Sequence, residues 1–126
     1  MLMSKTLELR KLIKDILLDL EVEVFFDDST DKAKYPYIVY SFESINFSNN
    51  RNDIILAIDI WDRNESTRNV EVLADGVEAL FNFENKPTNK ILPTFYLEGR
   101  YSLKDEDKKL KRRQIKISIK NYYIGG

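Results

Sequence analysis

Residues 53–62, DIILAIDIWD, decide the reading of the fold. As a strand they put Ile54, Leu56, Ile58 and Ile60 on one face and Ile55, Ala57, Asp59 and Trp61 on the other. Apolar side chains dominate both faces, the pattern of a strand in the middle of a sheet. Upstream, YIVYSF at 37–42 is rich in β-branched and aromatic residues and reads as a second strand. Pro36 lacks a ladder donor and suits the first position of that strand or an edge. The run SINFSNNRN at 44–52 is dense in turn-forming residues and predicts a loop between the two.

Further out, Glu21–Phe26 alternates with Val22, Val24 and Phe26 on one face and predicts a third strand. The polar run Asp27–Tyr35 predicts a loop. Ser4–Leu20 carries Leu9, Leu12, Ile13, Ile16, Leu17 and Leu20 at helical spacing, with Ser4 or Thr6 as cap. Downstream of the central strand, Asn64, Glu65 and Ser66 can cap a second helix that runs to about Asn82. Phe83–Pro93 predicts a loop with two prolines. In Thr94–Leu103, Phe95, Leu97, Tyr101 and Leu103 alternate against Tyr96, Glu98 and Arg100, and Gly99 marks a bulge or a close approach. Lys104–Lys111 is a charged connection, and Arg112–Ile124 alternates with Ile115, Ile117 and Ile119 inward. The order is α-β-β-β-α-β-β. It predicts one α+β domain over residues 1–126, an antiparallel sheet of about five strands with both helices on one face.

At 126 residues the chain has room for one ordinary core. It has no cysteine and no histidine, which removes disulfides, thiolate sites and the commonest general base and metal ligand. Asp27, Asp28 and Asp31 lack the glycine and distal glutamate of a calcium loop and read as a solvated turn. Asp59 and Asp62 flank Trp61, but a carboxylate at a helix entrance serves the helix dipole, and the face of Asp59 is expected to be solvated. No catalytic, metal or cofactor site is expected, and the chain reads as a non-enzyme. Residues 1–20 mix charge with apolar residues and offer no export signal, and no segment is apolar enough to span a bilayer. The expected place of synthesis is the cytoplasm, with no membrane partner.

Two surfaces invite partners. On the second helix Val70, Leu73, Ala74, Val77, Leu80 and Phe81 form the core face, and Glu71, Asp75, Glu78 and Asn82 an acidic stripe. Val72, Gly76, Ala79 and Phe83 form a further stripe of mainly small residues, a candidate subunit interface. Residues 104–120 carry eight basic and three acidic side chains, against a chain whose net charge is −1. Lys108, Lys109, Lys111, Arg112 and Arg113 therefore make a candidate partner-facing basic hairpin. With Tyr96, Tyr101, Tyr122 and Tyr123 it predicts, as the alternative function, a single-stranded nucleic-acid-binding module.

The segments YPYIVYSF (35–42), ILAIDIWDRNES (55–66) and VEVLADGVEALF (70–81) together resemble the tail-completion proteins of long-tailed bacteriophages. These are also called tail terminators or tail-to-head joining proteins. The likeness covers Tyr35–Phe81, and the rest of the chain by its order of elements. It implies a small structural protein of a phage or prophage, made in the bacterial host. Copies of it form a ring, commonly a hexamer, that caps the tail tube and meets the head connector in the virion. DNA is then only passing cargo, which the acidic stripe, facing solvent or the channel, would repel. The charged hairpin at 104–111 has no role assigned by the resemblance.

Overall fold

The computed structural model describes residues 4–82 and 86–124. Helix α1 spans Lys5–Leu17, and the Leu7 N–H donates to the Ser4 side chain at 3.1 Å, an N-cap. A 3₁₀ turn over Leu18–Leu20 ends at Glu21, whose φ of 60° breaks the helix. Strands β1 (Glu23–Phe26), β2 (Tyr37–Ser48) and β3 (Arg51–Arg63) follow, then α2 (Arg68–Phe81), β4 (Ile91–Leu103) and β5 (Leu110–Tyr123). The five strands form one sheet in the order β1-β2-β3-β5-β4, with β3 at its centre. This is an α+β domain with both helices on one face of the sheet.

The sheet is mixed rather than wholly antiparallel, because β1 runs parallel to β2. Asp27 still donates its N–H to Tyr40 O at 2.9 Å, and its φ of 66° then turns the chain out of the sheet. The polar residues 28–36 carry it back to the starting end of β2, so they act as a crossover and not a hairpin. The expected loop at 44–52 is also mostly strand. Only Asn49 and Asn50 lie between β2 and β3, and Asn50 takes the positive φ of 66° that a two-residue hairpin turn requires. The predicted loop before β4 is shorter too, since Ile91–Pro93 already belong to an edge strand, where proline is tolerated.

Two bulges reset which side chains face the helices. In β2 the pairing jumps from Phe42↔Leu56 to Ser44↔Ile55, so Glu43 is the extra residue and Ile45 comes to the inner face opposite Ile54. In β4 it jumps from Leu97↔Ile117 to Gly99↔Lys116. The expected bulge at Gly99 is present, and its consequence is that Arg100, opposite Ile115, faces the helices while Tyr101 faces away. The sequence pattern has these two the other way round.

The core lies between the sheet and the helices. Ile38, Leu56, Ile58, Ile60, Phe95 and Ile117 are fully buried beneath Leu9, Ile13 and Leu17 of α1 and Val70, Val77 and Phe81 of α2. Phe81 meets Phe95 edge-on at 5.0 Å between ring centres. The buried Tyr40 donates its hydroxyl to the Arg10 carbonyl at 2.8 Å, which ties α1 to β2. No described helix is long and apolar enough to cross a membrane.

Candidate functional site

The helix-free face of the sheet is built from residues that alternate with the core. Trp61 and Asp59 on β3, Tyr37 and Val39 on β2, and Arg112, Gln114, Lys116 and Lys120 on β5 all lie there. Asp59 is its polar centre. Its Oδ1 accepts from Arg112 Nη2 at 2.9 Å, Arg112 Nε at 3.2 Å and Gln114 Nε2 at 3.1 Å. The Arg112 guanidinium also lies 4.6 Å from the Trp61 ring centre, so one arginine serves a carboxylate and an aromatic face together. Lys116 pairs with Glu43 of the β2 bulge at 3.2 Å, and Lys120 sits over Tyr96. Asp59 is thus held in a hydrogen-bonded network and is not the solvated carboxylate expected. Asp62 is on the opposite face of the same strand, buried, and accepts from Asn69 Nδ2 at 3.0 Å. The two carboxylates flanking Trp61 share no site. Among the described residues no group of acidic side chains is placed to hold a metal ion.

The basic hairpin does not form one surface. Strand alternation sends Arg112 to the helix-free face and Arg113 to the helix face, where Arg113 Nε donates to Glu71 at 2.6 Å. Lys111 donates to the Lys108 carbonyl. Lys108 and Lys109 stay exposed in the turn, which is itself shaped by acids. Asp105 and Asp107 accept from the N–H groups of Asp107 and Lys109, each at 3.0 Å, and Asp107 pairs with Arg63 at 3.1 Å.

The acidic stripe of α2 faces solvent, with the Asp75 side chain 71% exposed, yet its carboxylates are also engaged within the chain. Arg100, redirected by the bulge, reaches Asp75 at 2.7 Å, Glu78 at 3.0 Å and Glu71 at 3.3 Å. The Arg113 hydrogen bond holds the Glu71 carboxyl below the usual carboxylate range, against an opposing push from burial and with Arg100 adding to the pull. These carboxylates in turn raise the Arg100 guanidinium, the Asp75 hydrogen bond most of all. Arg100 is the organising residue that the alternation pattern hid. Its only signal was Gly99 beside it.

Of the candidate interface stripe, Val72 is 59% exposed and Ala79 is exposed. Gly76 has a neighbour within its own chain, because a Cβ there would come within 2.7 Å of Leu20 Cδ2. The absent side chain makes room for the 3₁₀ turn. Phe83 lies outside the described residues. Val72 also borders a shallow recess of about 370 Å³ lined by Pro36, Arg68, Asn69 and Leu73. At the far end of the sheet, Phe47 beside the β2–β3 turn is 85% exposed. Nothing in the sequence pattern marked Phe47, which lay inside a predicted loop. The chain matches no protein-family pattern and no curated protein.

Proposed function

We propose that this chain is a structural assembly protein of a long-tailed phage or prophage, made in the bacterial host and incorporated at the head–tail junction. Copies form a ring, six-fold in the family it resembles, that caps the tail tube and joins it to the head connector. It performs no enzymatic reaction, and DNA passes it only as cargo. The observation that supports this most is the two-layer build. One whole sheet face carries Trp61, Tyr37 and a paired charge network with no helix over it among the described residues. On the opposite layer α2 presents Val72 and Ala79. Two different surfaces on opposite sides of one subunit suit head-to-tail contacts, which give a ring where the rotation between copies closes and an open filament where it does not. Electron microscopy of particles made without the protein tests the reading. The expected result is tails of uncontrolled length or finished tails unattached to heads, and normal head-attached tails contradict it.

The nucleic-acid alternative is weakened by the same geometry, since Arg112, Arg113 and Lys116 already have carboxylate partners. Titration of a fluorescent single strand should show nothing tighter than non-specific binding at physiological salt. Low-nanomolar, steeply salt-dependent binding would restore that reading.

A further inference from the structure

We propose that the cavity between the start of α1 and the β2–β3 turn binds a small aromatic acid that also carries a hydrogen-bond donor. The buried helix-side rows, Ile54, Leu56, Ile58 and Ile60 on β3 and Ile115, Ile117 and Ile119 on β5, run on at this end to Asn52 and Asn121, which stand directly opposite each other. Both asparagines are buried, at 6% and 3% exposure. The Asn121 Oδ1 accepts no hydrogen bond within the chain. A buried acceptor is nearly always paired, and leaving one unpaired disfavours the folded state. Asn121 lines a cavity of about 490 Å³, within the ~300–1,000 Å³ of small-molecule sites. A donor that enters this cavity completes the amide oxygen.

The lining sets the chemistry of the occupant. An amide oxygen only accepts, so the ligand supplies an O–H or N–H. Phe47, Tyr122 and Tyr123 all line the cavity and are all exposed. Exposed apolar side chains gathered at one mouth mark a binding surface, and aromatic ones favour a planar ring. The charge comes from Lys5. Its ammonium lies 5.9 Å from the Tyr123 ring centre, in the first turn of α1, where the helix dipole also favours an anion. Arg51 is the other cation of the lining, but it is held by Asp53 at 2.9 Å and by the Tyr122 hydroxyl. An acidic group therefore sits beside Lys5, a ring against Tyr123 and Phe47, and a donor on Asn121. One copy of the chain supplies every one of these groups, so the site does not depend on the proposed tail role.

Para-hydroxybenzoate carries all three features and serves as the probe. Titrated into the full-length chain, it should shift the backbone-amide NMR signals of residues 47–52 and 121–124 and the side-chain amide of Asn121. A Kd of about 1 mM or tighter is expected of so small a ligand. Benzoate lacks the donor and para-hydroxybenzyl alcohol lacks the charge, and each should bind about tenfold more weakly. Asn121→Leu keeps the side-chain volume and removes the acceptor, while Lys5→Gln removes the charge. Each variant should bind para-hydroxybenzoate about tenfold more weakly. Asn121→Leu should also be at least as stable as wild type, since no hydrogen bond to its Oδ1 is lost. No shift at ~10 mM probe, shifts centred elsewhere, or equal affinity for benzoate overturns the site, and none of these readings needs a variant to fold. Unchanged affinity in a folded Asn121→Leu or Lys5→Gln chain overturns it too.

Discussion

Ile58 and Asp59 are neighbours on the central strand and have opposite duties. Ile58 is fully buried under both helices, so Ile58→Ala should cost about 2–5 kcal/mol through lost burial and a cavity. On the sequence pattern alone Asp59 should be nearly free to change. Its three accepted hydrogen bonds alter that, because removing the carboxylate leaves Arg112 and Gln114 unpaired on a half-covered surface. Asp59→Ala should cost about 1–3 kcal/mol. Urea denaturation of the two variants checks the order, and an Asp59→Ala variant as stable as wild type would show that the network is idle. Glu71 gives a pH dependence. Its folded-state carboxyl is held lower than in the unfolded chain, so its contribution is present at neutral pH and is lost as pH falls through the carboxylate range. Glu71→Gln should therefore be less stable than wild type at neutral pH, with the gap closing in acid. A gap that stays constant with pH would mean that Arg113 and Arg100 do not stabilise the ionised form.

At the scale of elements, the strongest periodicities were legible and the insertions were not. The 53–62 strand and the 70–81 helix announce themselves because their apolar faces repeat over several turns of the pattern. A bulge adds one residue to a strand, and its position is defined only against the partner strand. Gly99 hinted at one, but nothing in the chain said that the phase of Arg100 and Tyr101 would invert beyond it. The same limit hid the second half of β2, where Glu43 breaks the alternation and residues 44–48 look like loop. The parallel setting of β1 depends on the path of residues 28–36, which no local pattern encodes. On α2 the stripe of small residues divides by neighbour. Gly76→Ala should change stability by no more than ~1 kcal/mol, since the better helix propensity of alanine offsets the displacement of the Leu20 methyl. Ala79→Glu should leave the fold unchanged by circular dichroism yet abolish complementation of a phage lacking the gene, by placing an unpaired charge in a closed contact. Infectious particles at normal titre from a folded Ala79→Glu chain would remove α2 from the interface.

For the whole molecule, the charge balance takes on a different meaning once the residues are placed. The excess of basic side chains in residues 104–120 looked like a grip for phosphates. In the fold it is divided: Arg112, Arg113 and Lys116 lie on the two sheet faces and pair with Asp59, Glu71 and Glu43, while Lys108 and Lys109 stay exposed in the turn. Beside those lysines, what can reach a partner is an aromatic sheet face with no described helix over it and the exposed α2 ridge. These fit a subunit whose work is to be one of several identical copies. For the tail function proposed above, the most direct measurement is electron cryo-microscopy of the head–tail junction in tailed virions from the source of this gene, with this chain fitted to the density. A closed ring of this chain between tail tube and head connector is the predicted result, with Ala79 in its subunit contacts. A junction fully accounted for by other proteins, with this chain absent from purified virions, would contradict the account.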